Sequence, residues 1–103
     1  MFSEIEQKRH EIQRLCRKYN VRKLVVFGSA AQGDFDPEHS DIDFLVIFDE
    51  RPCVAYANAY FGLWEDLERL FQRPIDLMTE SGLTNPFLRK EVEKSQQAVL
   101  YAA

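Results

Sequence analysis

The sequence lacks an excess of positive charge, any long apolar run and any dense cysteine pattern. Lysine and arginine total 13 against 17 aspartates and glutamates, giving a formal net charge of −4 and a pI of about 5.1. A surface that neutralised many phosphates would need the opposite balance, so broad nucleic-acid binding is disfavoured. A small nucleotide that brings its own magnesium stays compatible. No apolar stretch approaches the roughly 20 residues of a membrane span, and the opening MFSEIEQKRH has no apolar signal core. The expectation is a cytoplasmic protein that does not engage a membrane. Cys16 and Cys53 lie in separate elements without metal-type spacing, which favours reduced core or semi-buried thiols over a disulfide. Repeats, linkers and low-complexity segments are also missing.

What is present suits a single domain over residues 1–103, with 46% apolar and 29% charged residues. A domain this small buries only about two thirds of its unfolded surface, so an associating partner would add stability. Ser3 and Glu6 have the spacing of a capping box, and Ile5, Ile12, Leu15, Cys16 and Tyr19 share one face of a helix over 4–19 that stops at Asn20. Leu24 to Phe27 reads as a buried strand ending at Gly28. Residues 29–32 suit a short helix or turn, and Gly33 to Ser40 a loop. Asp41 to Phe48 reads as a second strand. Val54 to Phe71 follows as a helix with a broad apolar face of Tyr56, Ala57, Tyr60, Phe61, Leu63, Trp64, Leu67, Leu70 and Phe71. Pro74 to Met78 suits a short third strand. Asn85-Pro86 starts a helix running to 94–97, and Ala98 to Tyr101 a last strand. This order implies an α/β (α+β) layer fold, a small mixed sheet flanked by helices.

The chemistry lies in three pieces. Asp41 and Asp43 alternate with Ile42, so both carboxylates share one face of the second strand. Two carboxylates so close repel unless a cation lies between them, and magnesium takes such ligands together with substrate phosphates. Asp76, in PIDLM, completes an acidic triad if its strand lies beside the second, an arrangement that suits a two-metal displacement. Gly28 and Ser29 follow the first strand, where a glycine admits a phosphate close to the backbone and Ser29 offers hydroxyl and amide. Each piece alone has a plain reading. Gly-Ser is a turn, Ser40-Asp41 a capped loop end, and Asp76 an edge residue held by Arg73. Gly-Ser and Asp-x-Asp at this separation arise by chance in fewer than about one chain in a hundred at average usage, and phosphate cradle and carboxylates together spell nucleoside triphosphate chemistry.

These residues, FGSAAQG…SDIDFLV, resemble the signature of the DNA polymerase β-like nucleotidyltransferase superfamily. The PIDLM segment and the closing FLRKEVEKSQQAVLYAA extend the likeness, which is greatest to the minimal nucleotidyltransferase (MNT) group. That resemblance implies a magnesium-dependent enzyme, the antitoxin of a HEPN/MNT toxin–antitoxin module of the type VII kind. It would transfer AMP from ATP to a tyrosine hydroxyl of a HEPN ribonuclease toxin. Gly28 and Ser29 would bind the triphosphate, Asp41 and Asp43 would hold magnesium, and Asp76 would be a metal ligand and the base for the acceptor hydroxyl. Two departures stand out: eleven residues separate Ser29 from Asp41, one more than the common pattern, and Gln32 stands where many relatives have arginine.

Other residues take plainer readings. His39 suits an exposed loop, Arg89 and Lys90 a solvated face. Tyr56, Tyr60, Phe61 and Trp64 suit core plus interface rather than adenine stacking, which leaves room for a partner chain or a homodimer. The alternative function is a non-catalytic antitoxin that neutralises its partner by complex formation. Small-molecule nucleotidyl transfer is less favoured, because no extra domain would hold such a substrate.

Overall fold

The computed structural model describes residues 2–32, 36, 41–49, 52–79, 90 and 98–103. The described elements run α1 (Ser3–Gln7), α2 (Arg9–Lys18), β1 (Val21–Phe27), α3 (Ser29–Gln32), β2 (Ile42–Phe48), α4 (Cys53–Phe71), β3 (Ile75–Thr79) and β4 (Ala98–Ala102). The strands form one mixed sheet in the order β3-β2-β1-β4. β1 is antiparallel to both β2 and β4, while β2 and β3 are parallel, joined by the crossover helix α4. The expected α+β layer fold is therefore present. The helix anticipated over 85–97 and the loop residue His39 lie outside the described residues, apart from the exposed, helical Lys90.

Alternation along β2 separates two apolar layers. Ile42, Phe44, Val46 and Phe48 face the main core, where they meet Ile5, Ile12 and Cys16 of α1 and α2 and Ala59, Leu63, Leu67 and Phe71 of α4. The four α4 residues recur every fourth position, the row that one helix lays against a sheet. Leu45 points the other way and joins Val25, Phe27 and Met78 in a smaller cluster. Burial pushes the Cys16 thiol up to about 12, as an inert core sulfur requires.

Two details of the first helix differ from the sequence expectation. The segment breaks at Lys8 into α1 and α2, and Lys8 Nζ there bonds both Glu4 (3.0 Å) and the Leu70 carbonyl at the end of α4 (2.7 Å). The capping box does not form. Ser3 is already helical, Phe2 occupies the cap position with its N–H on the Ala30 carbonyl (2.7 Å), and Glu6 pairs with Arg9. Anchoring the chain start against α3 takes the place of a local cap. Asn20 does adopt the left-handed conformation that ends α2, with φ of 54°. Gln72, with φ of 52°, does the same for α4.

Gly62, within α4, makes room for the ring of Tyr19. A Cβ at Gly62 would lie 2.7 Å from Tyr19 Cε1, and the Tyr19 hydroxyl is held by Asp66 of α4. Alanine normally stabilises a helix interior over glycine by about 1 kcal/mol. Here Gly62→Ala is expected to lower the melting temperature, because the held ring cannot step aside freely. In a Tyr19→Ala background the same substitution should become neutral or stabilising. Thermal melts of the four proteins check this, and a stabilising Gly62→Ala in the wild-type background would contradict it.

Candidate active site

β1, β2 and β3 bring their chemistry to one end of the sheet. Asp43 is the second residue of β2 and is in register with Phe27 on one side and Asp76 on the other. Gly28 follows Phe27 directly. Its φ of +71° is a conformation other residues rarely adopt, and a Cβ there would lie 2.6 Å from Asp43 Oδ2. The glycine is thus required twice, by its backbone and by the carboxylate against it. The turn closes with the Ala31 N–H on the Gly28 carbonyl (3.1 Å), and Ser29 opens α3.

The three aspartates differ in setting. Asp41 is exposed, one residue ahead of β2, whereas the sequence reading began the strand with it. Asp76 is exposed on β3, and Asp43 is half-buried between its neighbours. Burial first, then repulsion from Asp76 and from Asp41, pushes the Asp43 carboxyl up to about 6. Arg73, offered by the sequence as a partner for Asp76, pairs with Glu4 at 3.4 Å and lies over the Phe2 ring.

Among the described residues no three histidine, cysteine, aspartate or glutamate side chains close around a common metal position. The donor chemistry nevertheless fits a hard divalent cation. It consists of carboxylate oxygens alone, two of them in register on adjacent strands, and it carries a charge crowding that a cation offsets. Gln32 belongs to α3.

Sequence reasoning missed a polar role for two α4 aromatics. The Tyr60 hydroxyl donates to the Leu77 carbonyl (2.5 Å) and Trp64 Nε1 donates to the Ile75 carbonyl (2.9 Å). Both acceptors are backbone atoms of β3 on either side of Asp76. Burial, then the Asp76 charge, raises the Tyr60 hydroxyl above its usual range. A usable signal was present: Tyr and Trp carry a polar tip that needs a partner when the ring is packed. Phe61, by contrast, is 61% exposed.

Residues 9–99 match the nucleotidyltransferase domain family. A chain of Methanocaldococcus jannaschii with the provisional name protein adenylyltransferase is 34% identical over 93 residues, which cover 89% of this chain and 91% of that one. A solved structure described as a minimal nucleotidyltransferase superposes with a TM-score of 0.64 at 32% identity, over 91% of this chain and 92% of that one. A mutant of the toxin–antitoxin pair MntA–HpeT contains a chain with a TM-score of 0.63 at 25% identity, over 91% of this chain and 72% of that one.

The raised Asp43 carboxyl has a stability consequence. Between the ordinary aspartate value of about 4 and about 6, the folded chain holds a proton that the unfolded chain has released. Stability of the metal-free protein should therefore fall as pH rises through that window. Asp43→Asn removes this loss, so its melting temperature should exceed wild type at about pH 7.5 and converge with it near pH 4. Paired melts across pH check this; parallel wild-type and Asp43→Asn curves would contradict it.

Proposed function

The chain belongs to the nucleotidyltransferase domain family, and from that premise we propose that it is a magnesium-dependent protein adenylyltransferase. Its acceptor is a tyrosine hydroxyl of a HEPN-domain ribonuclease toxin, and its donor is ATP. By modifying that toxin it acts as an antitoxin. The observation that carries the reading is the register of Asp43 with Asp76, beside a glycine that leaves its backbone bare toward Asp43. The similarity to a named protein adenylyltransferase and to a chain of a toxin–antitoxin pair supports the choice of a protein acceptor.

Asp41, Asp43 and Asp76 would hold the magnesium, which supplies charge neutralisation for the triphosphate and the leaving group. Gly28 and Ser29 receive the phosphates, the glycine because nothing projects from its Cα. Asp76, exposed at the strand edge, takes the proton from the acceptor hydroxyl. The freed oxygen forms a bond to the α-phosphorus, the bond from that phosphorus to the bridging oxygen breaks, and pyrophosphate departs with its electron pair. The acceptor gains one AMP.

The rival reading is a stoichiometric antitoxin that only covers its partner. Such a protein has no use for a half-buried carboxylate crowded by two others at one end of its sheet, which weighs for catalysis. Intact-mass spectrometry of the co-purified partner, after incubation with magnesium and ATP, tests the choice. The wild type should add one or more AMP units, and Asp41→Asn or Asp43→Asn none, while both variants keep their secondary structure. An unchanged mass with an inhibited partner would favour the stoichiometric role. Gly28→Ala should lower transfer by at least about a hundredfold, since a 1 Å displacement of reacting groups has that effect. Wild-type turnover by Gly28→Ala would remove the glycine from the site.

A further inference from the structure

We propose that Tyr60 and Trp64 are positioning residues for Asp76, clamping β3 through two of its carbonyls so that its carboxylate stays beside Asp43. The inference rests on the reading of Asp76 as a metal ligand. β3 has five residues and, among the described strands, lies at the end of the sheet and pairs with β2 alone. Its register sets Asp76 against Asp43, and like charges directly opposite each other on neighbouring strands push the strands apart. A short edge strand under that repulsion needs a second hold.

α4 supplies it. The Tyr60 hydroxyl donates to the Leu77 carbonyl and Trp64 Nε1 donates to the Ile75 carbonyl, the carbonyls of the residues on either side of Asp76. The spacings match. Four residues of helix rise about 6 Å and two residues of strand about 6.6 Å, so donors at 60 and 64 meet alternate carbonyls of a strand running the other way. Both rings also pack on the main core, which fixes their donors. Such outer partners of a metal ligand do not touch the ion, yet they set where the ligand can stand.

The probe is Mn2+, titrated against the protein with a nonhydrolysable ATP analogue and read as free ion by electron paramagnetic resonance. It is paired with steady-state transfer kinetics on the partner and with thermal melts. Tyr60→Phe and Trp64→Phe keep a ring in place and delete only the donor and, for Trp64, part of the ring. Each should weaken Mn2+ binding roughly tenfold and lower kcat by a similar factor, with KM for ATP little changed. Tyr19→Phe, which removes a hydroxyl from the Asp66 contact elsewhere on α4, should lower the melting temperature yet leave Mn2+ affinity and kcat intact.

Wild-type Mn2+ affinity in both Tyr60→Phe and Trp64→Phe would overturn the proposal, as would an equal loss in Tyr19→Phe. Asp76→Asn in the same titration separates this from its premise. An unchanged affinity there overturns the ligand reading and the clamp with it. A loss there, without one in the two aromatic variants, overturns the clamp alone.

Discussion

The half-burial of Asp43 beside two further aspartates, at one end of a four-stranded sheet, is the constraint on which the proposed site depends. Asp43 is in register with Asp76, and burial first, then repulsion from Asp76 and Asp41, pushes its carboxyl up to about 6. A carboxylate in that position weakens a metal-free fold that has little stability to spare at this size. The proposed cation would relieve that crowding, and two features of the surrounding structure suit it. Gly28 leaves space against Asp43 Oδ2, and the parallel register of β2 and β3 delivers the second carboxylate at the same depth.

The cost is met elsewhere in the fold. β2 sends Ile42, Phe44, Val46 and Phe48 into the larger core, all nearly or fully buried, and so stays rigid while carrying Asp43 on its other side. Its neighbour β1 is bonded on both edges. Among the described strands β3 pairs on one edge only, and α4 packs its buried row on the sheet while its aromatic tips bond two carbonyls of β3. One helix therefore closes the parallel crossover, packs on the core and bonds the short strand that carries Asp76. Gly62 serves the opposite flank of that helix by admitting Tyr19.

Much of this was legible in the residues themselves. The strand cores KLVVF and FLVIF, the helix over 54–71 and the left-handed stop at Asn20 follow from periodicity and turn chemistry, and the structure has each of them. The proximity of Asp43 and Asp76 required one further step, that β3 should lie beside β2. The sequence left that pairing as a condition, and the structure has it, in parallel register. What escaped were matters decided by tertiary contact. Ser3 and Glu6 have capping-box spacing, but Phe2 is drawn to Ala30 and the box has no terminus to serve. The break at Lys8 coincides with a bond to Leu70, far along the chain. Tyr60 and Trp64 looked like pure apolar surface because periodicity sees the ring and is blind to the donor at its tip.

The central claim is that a cation relieves Asp43, and it can be tested without any acceptor protein. Calorimetric titration of magnesium with a nonhydrolysable ATP analogue, at about pH 6 in buffers of different ionisation heat, counts the protons released on binding. Wild type should release a substantial fraction of a proton more than Asp43→Asn, because an Asp43 carboxyl at about 6 is partly protonated there before binding. At about pH 8 the difference should vanish, since the carboxyl is then already ionised. Equal proton release by the two proteins at about pH 6 would mean that the cation does not meet Asp43, and the account of this site would fall.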